Sequence, residues 1–478
     1  MNAKIHNVFW LVLLLFAALV CATSWWTIDD LGAQGLKDNP HNRRQLLEQM
    51  KHPRGLIVAA DGTRLATNKR AGRGETKRYY RTYPQEGLFS HEVGYYFVSK
   101  GSAGLEKEYD DELAGRENEF ASTVDQLLGH RQEGEDIHTT LDVRGQRAAL
   151  AALAGRRGAV VVLEPSTGKV RVMANEPGYD PNKITAPGGI GATASTLNRA
   201  TQAKYPPGST FKVVTASAAI DTGRYQPDSF ISGKSPKVIS GVPLQNFGGE
   251  NFGSISLTDA LTHSVNTVFG EVGEKLGSAT MLKYMKRFGF QRKPPLDYPR
   301  DEMIASGVFP AKACGRGVDF GRVAIGQECH LYTTPLQMAE VAATVANGGV
   351  RMKPRFVDRV VAKDGRVKKR FHPEKAADVM SEESAAKVGQ MMQHVVEEGT
   401  GTAAQLQGIS VAGKTGTAEI PGTSENQVWF IGYAPADKPR LAVAVTIERT
   451  QGEGGTVAAP IAKQVLETLL GKAVTNGG

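Results

Sequence analysis

Three short motifs follow one another along the chain in an order that could build a serine acyl-transfer site. They are Ser209-Thr-Phe-Lys212, Ser264-Val-Asn266 and Lys414-Thr-Gly-Thr417. A serine becomes a strong nucleophile when a base accepts its proton, and a lysine can be that base when its amine is neutral. Because burial and a second nearby cation both lower a lysine pKa, Lys212 beside Lys414 could be neutral. One such motif often occurs by chance, but the ordered triplet predicts a shared site.

Each motif supplies one part of the predicted chemistry. Residues 206–208, Pro-Pro-Gly, cannot continue a helix, so Ser209 begins the apolar helix that follows, where free backbone N–H groups favour negative charge. Lys212 lies one turn further on the same side and is the predicted general base. Ser264 is predicted to pass protons between Lys212 and an amine, and Asn266 to hold a substrate amide and Lys212. The alternative is an unremarkable set of polar pairs and helix caps.

The third motif lies on a strand predicted from Ile409 to Glu419. Alternation along the strand sends the Thr415 and Thr417 hydroxyls to one face, where they are predicted to bind a terminal carboxylate. Gly416 favours close approach of another backbone, such as a substrate that adds along the strand. The backbone N–H groups of Ser209 and Thr417 form the predicted oxyanion hole.

The three motifs resemble those of the class B penicillin-binding proteins, the monofunctional D,D-transpeptidases that cross-link peptidoglycan. The resemblance covers nearly the whole chain, and further family-like stretches are Arg54–Val58, Asp61–Gly62, Gly104–Glu106, Thr139–Asp142 with Gln146, Tyr179–Asn182, Gly326–Gln327, Thr334–Met338 and Trp429–Tyr433. With its short N-terminal module and without C-terminal repeats, the chain resembles an actinobacterial subgroup of this family that acts in cell division. Val265 departs from the Ser-Asp-Asn motif of class A β-lactamases, which favours a penicillin-binding protein over a β-lactamase.

The resemblance implies a membrane-anchored enzyme in which Ser209 attacks the penultimate D-Ala carbonyl of a stem peptide and expels the terminal D-Ala. An amine from a neighbouring strand would resolve the acyl-enzyme, and β-lactams would trap Ser209 by mimicking the donor. Lys414 would lower the pKa of Lys212 and help to bind the carboxylate. The implied partners are a membrane-embedded glycan polymerase and divisome proteins, with no cofactor, no metal and no nucleic acid.

Other functions share parts of this pattern. A β-lactamase would use the same acylation residues and add a positioned water, whereas a β-lactam sensor would carry several membrane spans. A bifunctional synthase would need a glycosyltransferase domain, for which residues 27–134 are too few. A division scaffold with vestigial catalysis is the non-enzymatic alternative. Residues 408–415 satisfy the Walker A pattern of ATPases, but the strand-like stretch 409–412 argues against a phosphate loop.

An apolar run from Val8 to Trp26 is long enough to span a bilayer as one helix. Lys4 precedes this run and two aspartates follow it, so the positive-inside tendency predicts a cytoplasmic N-terminus and an extracytoplasmic catalytic part. The alternatives are a cleaved signal peptide, for which the run is long, and lipidation at Cys21, against which the bulky Val20 argues.

The composition of the 478-residue chain is that of an ordinary globular protein, with 41% hydrophobic and 22% charged residues and a net charge of +8. Outside a membrane, an anionic lipid or wall surface is the expected partner for this charge. The basic residues around Tyr79 and Tyr80 are interpreted as a solvated hairpin rather than an RNA-binding surface. Three cysteines exclude a disulfide scaffold, and Cys314 and Cys329 either form one bridge or are separate core residues.

Strand-like runs at 159–163, 169–174, 410–419, 428–434 and 441–448 predict a five-stranded antiparallel sheet. Helices predicted at 211–220, 257–274, 335–347, 382–398 and 460–470 would flank it, and Asp142 would cap another helix ending near Leu153. The predicted fold class is an α+β sandwich with a small, elongated β-rich N-terminal module and one transmembrane helix. The predicted divisions are a cytoplasmic tail (1–7), a membrane anchor (8–26), a tether (27–51), a pedestal and interaction module (52–141), a transpeptidase domain (142–472) and a second tail (473–478).

Overall fold

The N-terminal helix stands apart from the rest of the structure in its composition. The computed structural model describes residues 3–28, 50–97, 99–116, 134–309, 317–420 and 422–471. Within helix Ala3–Ile28, the stretch Ile5–Ser24 has a mean hydropathy of 2.3 and none of it is buried. By length and composition this stretch could cross a membrane. Most of the predicted tether and all of the predicted C-terminal tail lie outside the described residues.

A five-stranded antiparallel sheet lies at the centre of the catalytic half of the chain. Its strands are β1 (Gly158–Leu163), β2 (Val170–Glu176), β3 (Ala412–Glu419), β4 (Asn426–Ala434) and β5 (Leu441–Thr450). Their order is β3-β4-β5-β1-β2, and every neighbouring pair is antiparallel. The predicted sheet is therefore confirmed.

Helices cover both faces of this sheet, which confirms the predicted sandwich. They are α1 (Val143–Leu153), α2 (Lys212–Asp221), α3 (Leu257–Thr262), α4 (Asn266–Phe288, interrupted at Gly277), α5 (Pro335–Ala346), α6 (Glu382–Glu397) and α7 (Ala459–Leu470). Val160 and Val162 of β1 share a hydrophobic core with residues of α1 and α7, whereas Ala159 and Val161 belong to a core with α2 and α5. As predicted, the Asp142 side chain caps α1.

The prediction of one helix from 257 to 274 is wrong. Two helices, α3 and α4, occupy this range, and His263, Ser264 and Val265 separate them. Ser264 has a φ of +59°, a left-handed conformation that interrupts an α-helix and is unfavourable for residues other than glycine. Apolar periodicity does not reveal such a residue. The second motif consequently lies at a helix junction, where the backbone carbonyl and the side chain of Ser264 both accept hydrogen bonds from Lys212.

A second sheet combines N-terminal strands with two strands from the catalytic half. In spatial order its strands are Val367–Arg370, Val357–Val361, Asp136–Thr139, Ile57–Val58, Arg64–Ala71 and Arg78–Thr82. In this N-terminal part, the fully buried Glu106 forms ion pairs with Arg54 at 3.2 Å and with Arg81 at 2.5 Å. Two of the family-like stretches therefore meet in a buried structural ion pair.

Short elements connect these layers. The remaining strand pairs are Tyr95–Phe97 with Gly101–Ala103, Phe230–Ser232 with Ser254–Ser256, Lys237–Ile239 with Val242–Leu244, Gly307–Val308 with Leu331–Tyr332, and Val350–Met352 with Lys375–Asp378. The short helices are Ser90–Val93, Leu105–Glu108, Asp110–Ala114, Arg199–Gln202 and Phe320–Ala324.

Candidate active site

Ser209 lies in a tight turn that packs against strand β3 and leads into helix α2. Residues Gly208–Phe211 form a single 3-10 turn that leads into α2, and Ser209 is 9% exposed. Gly208 has a φ of +55°, and its N–H donates to the carbonyl of Gly326 at 3.1 Å. A Cβ atom at position 208 would lie 3.0 Å from the carbonyl oxygen of Thr417. A glycine here therefore lets the turn approach the strand closely.

Lys212 is fully buried, and its Nζ has three hydrogen-bond acceptors. It donates to Ser264 O at 2.6 Å, to Ser264 Oγ at 3.1 Å and to Asn266 Oδ1 at 2.8 Å. Burial, followed by the charge of Lys414, lowers the pKa of Lys212 well below its ordinary value, which favours the neutral amine. Among the described residues, Lys212 Nζ makes no hydrogen bond to Ser209. Catalytic hydrogen bonds commonly tighten only in the substrate complex.

Ser264 bridges the two lysines of the site. Its Oγ lies 3.1 Å from Lys212 Nζ and 2.9 Å from Lys414 Nζ. Lys414 also donates to the carbonyl of Thr415 at 3.0 Å, and burial lowers the pKa of Lys414 to about 7. A hydroxyl can accept from one amine while it donates to another, so Ser264 is suited to relay a proton. Its strained backbone is of the kind that surrounding contacts sustain at active sites.

The hydroxyls of the third motif have partners that the sequence analysis missed. Thr415 Oγ1 lies 2.6 Å from Thr400 Oγ1, and the backbone N–H of Gly454 donates to Thr417 Oγ1 at 3.2 Å. Because Thr417 accepts this bond, it keeps its own proton for an anionic ligand. The Gly-Thr-Gly run at 399–401 signals a turn, but no local pattern indicates that this turn meets strand β3.

Strand β3 presents the third motif at the edge of the sheet. One side of β3 pairs with β4, and the sheet places no described strand on its other side. An extended peptide can add to such an edge through backbone hydrogen bonds. Because residues Ala412–Glu419 form a strand, the Walker A-like run is not followed by the helix that a phosphate loop requires.

Gly416 allows β3 to approach the turn that carries Ser209. A Cβ atom at this position would lie 2.9 Å from Thr210 Cγ2 and 3.0 Å from the carbonyl oxygen of Pro207. Gly413, also on β3, lies against the ring of Phe430 of β4, and a Cβ atom at position 413 would lie 2.4 Å from Phe430 Cζ. Both glycines therefore mark close approaches, as the sequence indicated.

The cysteines and potential metal ligands lie outside the three motifs. Glu328, Cys329 and His330 bring their ligand atoms within 4.8 Å of one another. His330 Nδ1 pairs with Glu328 Oε1 at 2.9 Å, and Cys329 is disulfide-bonded, so its sulfur is not a thiolate ligand. Cys314, the partner suggested for Cys329 by the sequence, lies outside the described residues.

The chain is similar to known proteins over nearly its whole length. The family described as penicillin binding protein transpeptidase domain matches residues 158–467, and the one described as penicillin binding protein A dimerisation domain matches residues 54–137. The peptidoglycan D,D-transpeptidase PbpA of Mycolicibacterium smegmatis is 32% identical to this chain, over 98% of this chain and 99% of the relative.

Solved structures share the fold. The penicillin G acyl-enzyme complex of penicillin-binding protein A from M. tuberculosis has a TM-score of 0.76 and 32% identity, over 88% of this chain and 100% of the other. The D,D-transpeptidase domain of a peptidoglycan glycosyltransferase from Eggerthella lenta has a TM-score of 0.75 and 33% identity, over 88% of this chain and 99% of the other.

Proposed function

The chain belongs to the penicillin-binding protein transpeptidase family, and we propose that it is a membrane-anchored enzyme that cross-links peptidoglycan during cell division and wall growth. Its reaction is that of a serine-type peptidoglycan D,D-transpeptidase. The observation that carries the assignment of roles is the position of Ser264 Oγ between Lys212 Nζ and Lys414 Nζ. Lys212 in turn follows Ser209 by three residues, across the 3-10 turn that leads into α2. This arrangement supplies a nucleophile, a base and a proton relay in one place.

Acylation begins when Ser209 Oγ attacks the carbonyl carbon of the penultimate D-Ala. The hydroxyl proton passes to the neutral amine of Lys212, while the backbone N–H groups of Ser209 and Thr417 bind the developing oxyanion. The C–N bond to the terminal D-Ala then breaks. Ser264 delivers a proton to the leaving amine and recovers one from Lys212, so the base is neutral again.

Deacylation follows the same path in reverse with a different amine. The amine of a neighbouring stem peptide attacks the acyl-enzyme carbonyl, loses its proton through Ser264 to Lys212, and the proton returns to Ser209 Oγ as the ester bond breaks. Asn266 holds the substrate amide, while the hydroxyls of Thr415 and Thr417, with Lys414, hold the terminal carboxylate of the donor. The donor adds along the free edge of β3, beside Gly416. A β-lactam mimics the donor and leaves Ser209 acylated.

The proposed topology has a cytoplasmic N-terminus, an anchor at residues 8–26 and an extracytoplasmic catalytic domain at 142–472. The apolar helix and the charges that flank it support this topology. The module at residues 52–141 would contact a membrane-embedded glycan polymerase and divisome proteins. A C-terminal reporter that is active only outside the cytoplasm tests the orientation, and cross-linking from residues 52–141 in membranes tests the partner.

The decisive experiment follows two reactions of the full-length protein in detergent. A stem peptide ending in D-Ala-D-Ala and an amine acceptor should give free D-Ala and a cross-linked product. Brief exposure to penicillin should give one adduct per chain that persists for hours by intact mass. A rapidly cleared adduct would indicate a β-lactamase, and the absence of both adduct and D-Ala release would indicate a scaffold.

Gly416→Ala tests the close approach of β3 to the nucleophile. The added methyl group would contact Thr210 and Pro207, so the strand and the turn should move apart. We expect acylation by a fluorescent penicillin to slow roughly 10- to 100-fold, because small misplacements of reacting groups are costly. Gly178→Ala is the control, since its Cβ would have no neighbour closer than 3.6 Å, an ordinary van der Waals contact. Equal rates for the two variants would contradict the prediction.

A further inference from the structure

The loop at residues 245–250 lies against the start of helix α4 and is closed by one buried side chain. Asn246 is only 4% exposed. Its Nδ2 donates to the carbonyls of Gly233 at 3.0 Å and Glu250 at 2.9 Å, and its own N–H donates to Ser235 Oγ at 3.0 Å. One amide hydrogen of Asn246 therefore closes the loop at Glu250, and the other attaches the loop to Gly233.

The same side chain caps α4 from outside the helix. The first backbone N–H groups of a helix lack partners within it, and the N-cap residue of α4 is Val265, whose side chain cannot accept a hydrogen bond. Asn246 Oδ1 accepts instead from the N–H of Thr267 at 2.9 Å. The Ser-Val-Asn motif therefore depends on a residue about twenty positions earlier for its helix cap.

The neighbouring residue of the loop orients the amide of Asn266. Asn266 Nδ2 donates to the carbonyl of Gln245 at 3.1 Å, and Asn266 Oδ1 accepts from Lys212 Nζ at 2.8 Å. A backbone carbonyl only accepts hydrogen bonds, so it selects the amide orientation in which nitrogen faces Gln245 and oxygen faces Lys212. If Gln245 moved, the amide could turn its NH2 group toward Lys212 and replace an acceptor by a donor.

We propose that Asn246 is a positioning residue for acylation: by capping α4 and closing the loop, it holds the Gln245 carbonyl that orients Asn266 toward Lys212. This inference rests on the proposed function, because it assigns Lys212 and Asn266 to the reaction. Asn246 itself contacts neither lysine of the site among its described hydrogen bonds. It acts through the loop and the helix start.

Asn246→Ala in the full-length protein tests this role, with Asn251→Ala as the control. Asn251 lies in the same region and is exposed, and within the described part of the chain its side chain accepts only from the N–H of Gly253, at 3.2 Å. We expect the rate constant for acylation by a fluorescent penicillin to fall roughly tenfold or more in Asn246→Ala and to stay unchanged in Asn251→Ala. Because the rate constant of an exponential reaction is independent of the amount of active protein, partial unfolding alone would lower only the amplitude.

The pH dependence of the acylation rate constant is a second measurement, and a general loss of stability would not shift it. Asn266 Oδ1 favours the protonated form of Lys212, so its loss should shift the acid limb of the acylation profile to lower pH while the plateau falls. Lys414 is the charged neighbour of Lys212 and is unchanged in the variant. Asn246→Asp keeps the acceptor for Thr267 but loses both donors, and we expect a folded protein with an intermediate rate constant.

The possible results distinguish a failure of the proposed function from a failure of the positioning role of Asn246. If the wild-type protein forms no adduct, the proposed function fails. If the wild-type protein is acylated and Asn246→Ala reacts with the wild-type rate constant and pH profile, only the positioning role is overturned. If Asn246→Ala does not fold, a wild-type rate constant and pH profile in Asn246→Asp would overturn the loop-closing role.

Discussion

Ser209→Ala should form no covalent adduct with penicillin and release no D-Ala from a stem-peptide donor. In the proposed mechanism the Ser209 oxygen attacks the carbonyl, and neither lysine of the site replaces it as a nucleophile. We expect the acylation rate constant to fall by at least roughly 10⁴-fold, the scale on which removal of an activated serine acts. Intact mass of the full-length protein after brief exposure to penicillin measures this effect, with one adduct per chain expected for the wild type.

Ser217→Ala is the matched control for this experiment. Ser217 lies in helix α2, which follows the turn that contains Ser209, and its Oγ donates to the carbonyl of Val213 at 2.8 Å. The control therefore also removes a buried serine hydroxyl from this part of the chain. It should keep the wild-type adduct. A stable adduct on Ser209→Ala would disprove the assignment of the nucleophile. Normal cell division supported by Ser209→Ala would instead favour the scaffold hypothesis.

Lys212→Met should slow acylation by roughly 10²- to 10⁴-fold, the usual contribution of a general base. Methionine has a similar length and no charge, so the variant removes the base without burying a new unpaired cation. The acceptors on Ser264 and Asn266 lose their donor, and a modest loss of stability is expected as well. Stopped-flow measurement with a chromogenic β-lactam gives the rate constant. Lys204→Met, at an exposed lysine near the same helix, should react like the wild type.

The pH dependence of acylation distinguishes a base from a structural cation. The neutral amine is the active form, so the wild-type rate constant should rise with pH through the pKa of Lys212 and then level off. Since burial and Lys414 depress that pKa, the rise should occur well below the ordinary lysine value of about 10.4. Lys212→Arg keeps the charge but cannot lose its proton. A substantial rate for Lys212→Arg at any pH would rule out Lys212 as the base.

Local signals were sufficient for the central sheet. Strand β1 is an apolar run in which every residue is buried, and Gly168, with a φ of +70°, ends the turn that joins it to β2. Such signals come from residues a few positions apart in the chain, so they can be recognised without knowledge of the fold. The same holds for Asp142, whose side chain caps the helix that it immediately precedes.

The conformation and contacts of the second motif could not be predicted from the neighbouring residues in the sequence. The range 257–274 is apolar enough for one helix, but Ser264 adopts a left-handed conformation that divides it. The contacts of this residue reach Lys212, 52 positions away, and Lys414, 150 positions away. A strained conformation of this kind persists because the surrounding structure holds it, and neither contact is visible in the local sequence.

The amino-acid sequence by itself determined which chemical groups are present, their order in the chain, and the strands and helices that carry most of them. These properties follow from residue type and from apolar periodicity, which can be read from residues that are close together in the sequence. Only the tertiary structure decided that Lys212 is buried, that Ser264 joins two lysines, and that Asn246 caps the helix that bears Asn266. Burial and hydrogen bonding between distant segments arise when the chain packs, and they set the pKa and orientation on which the chemistry depends.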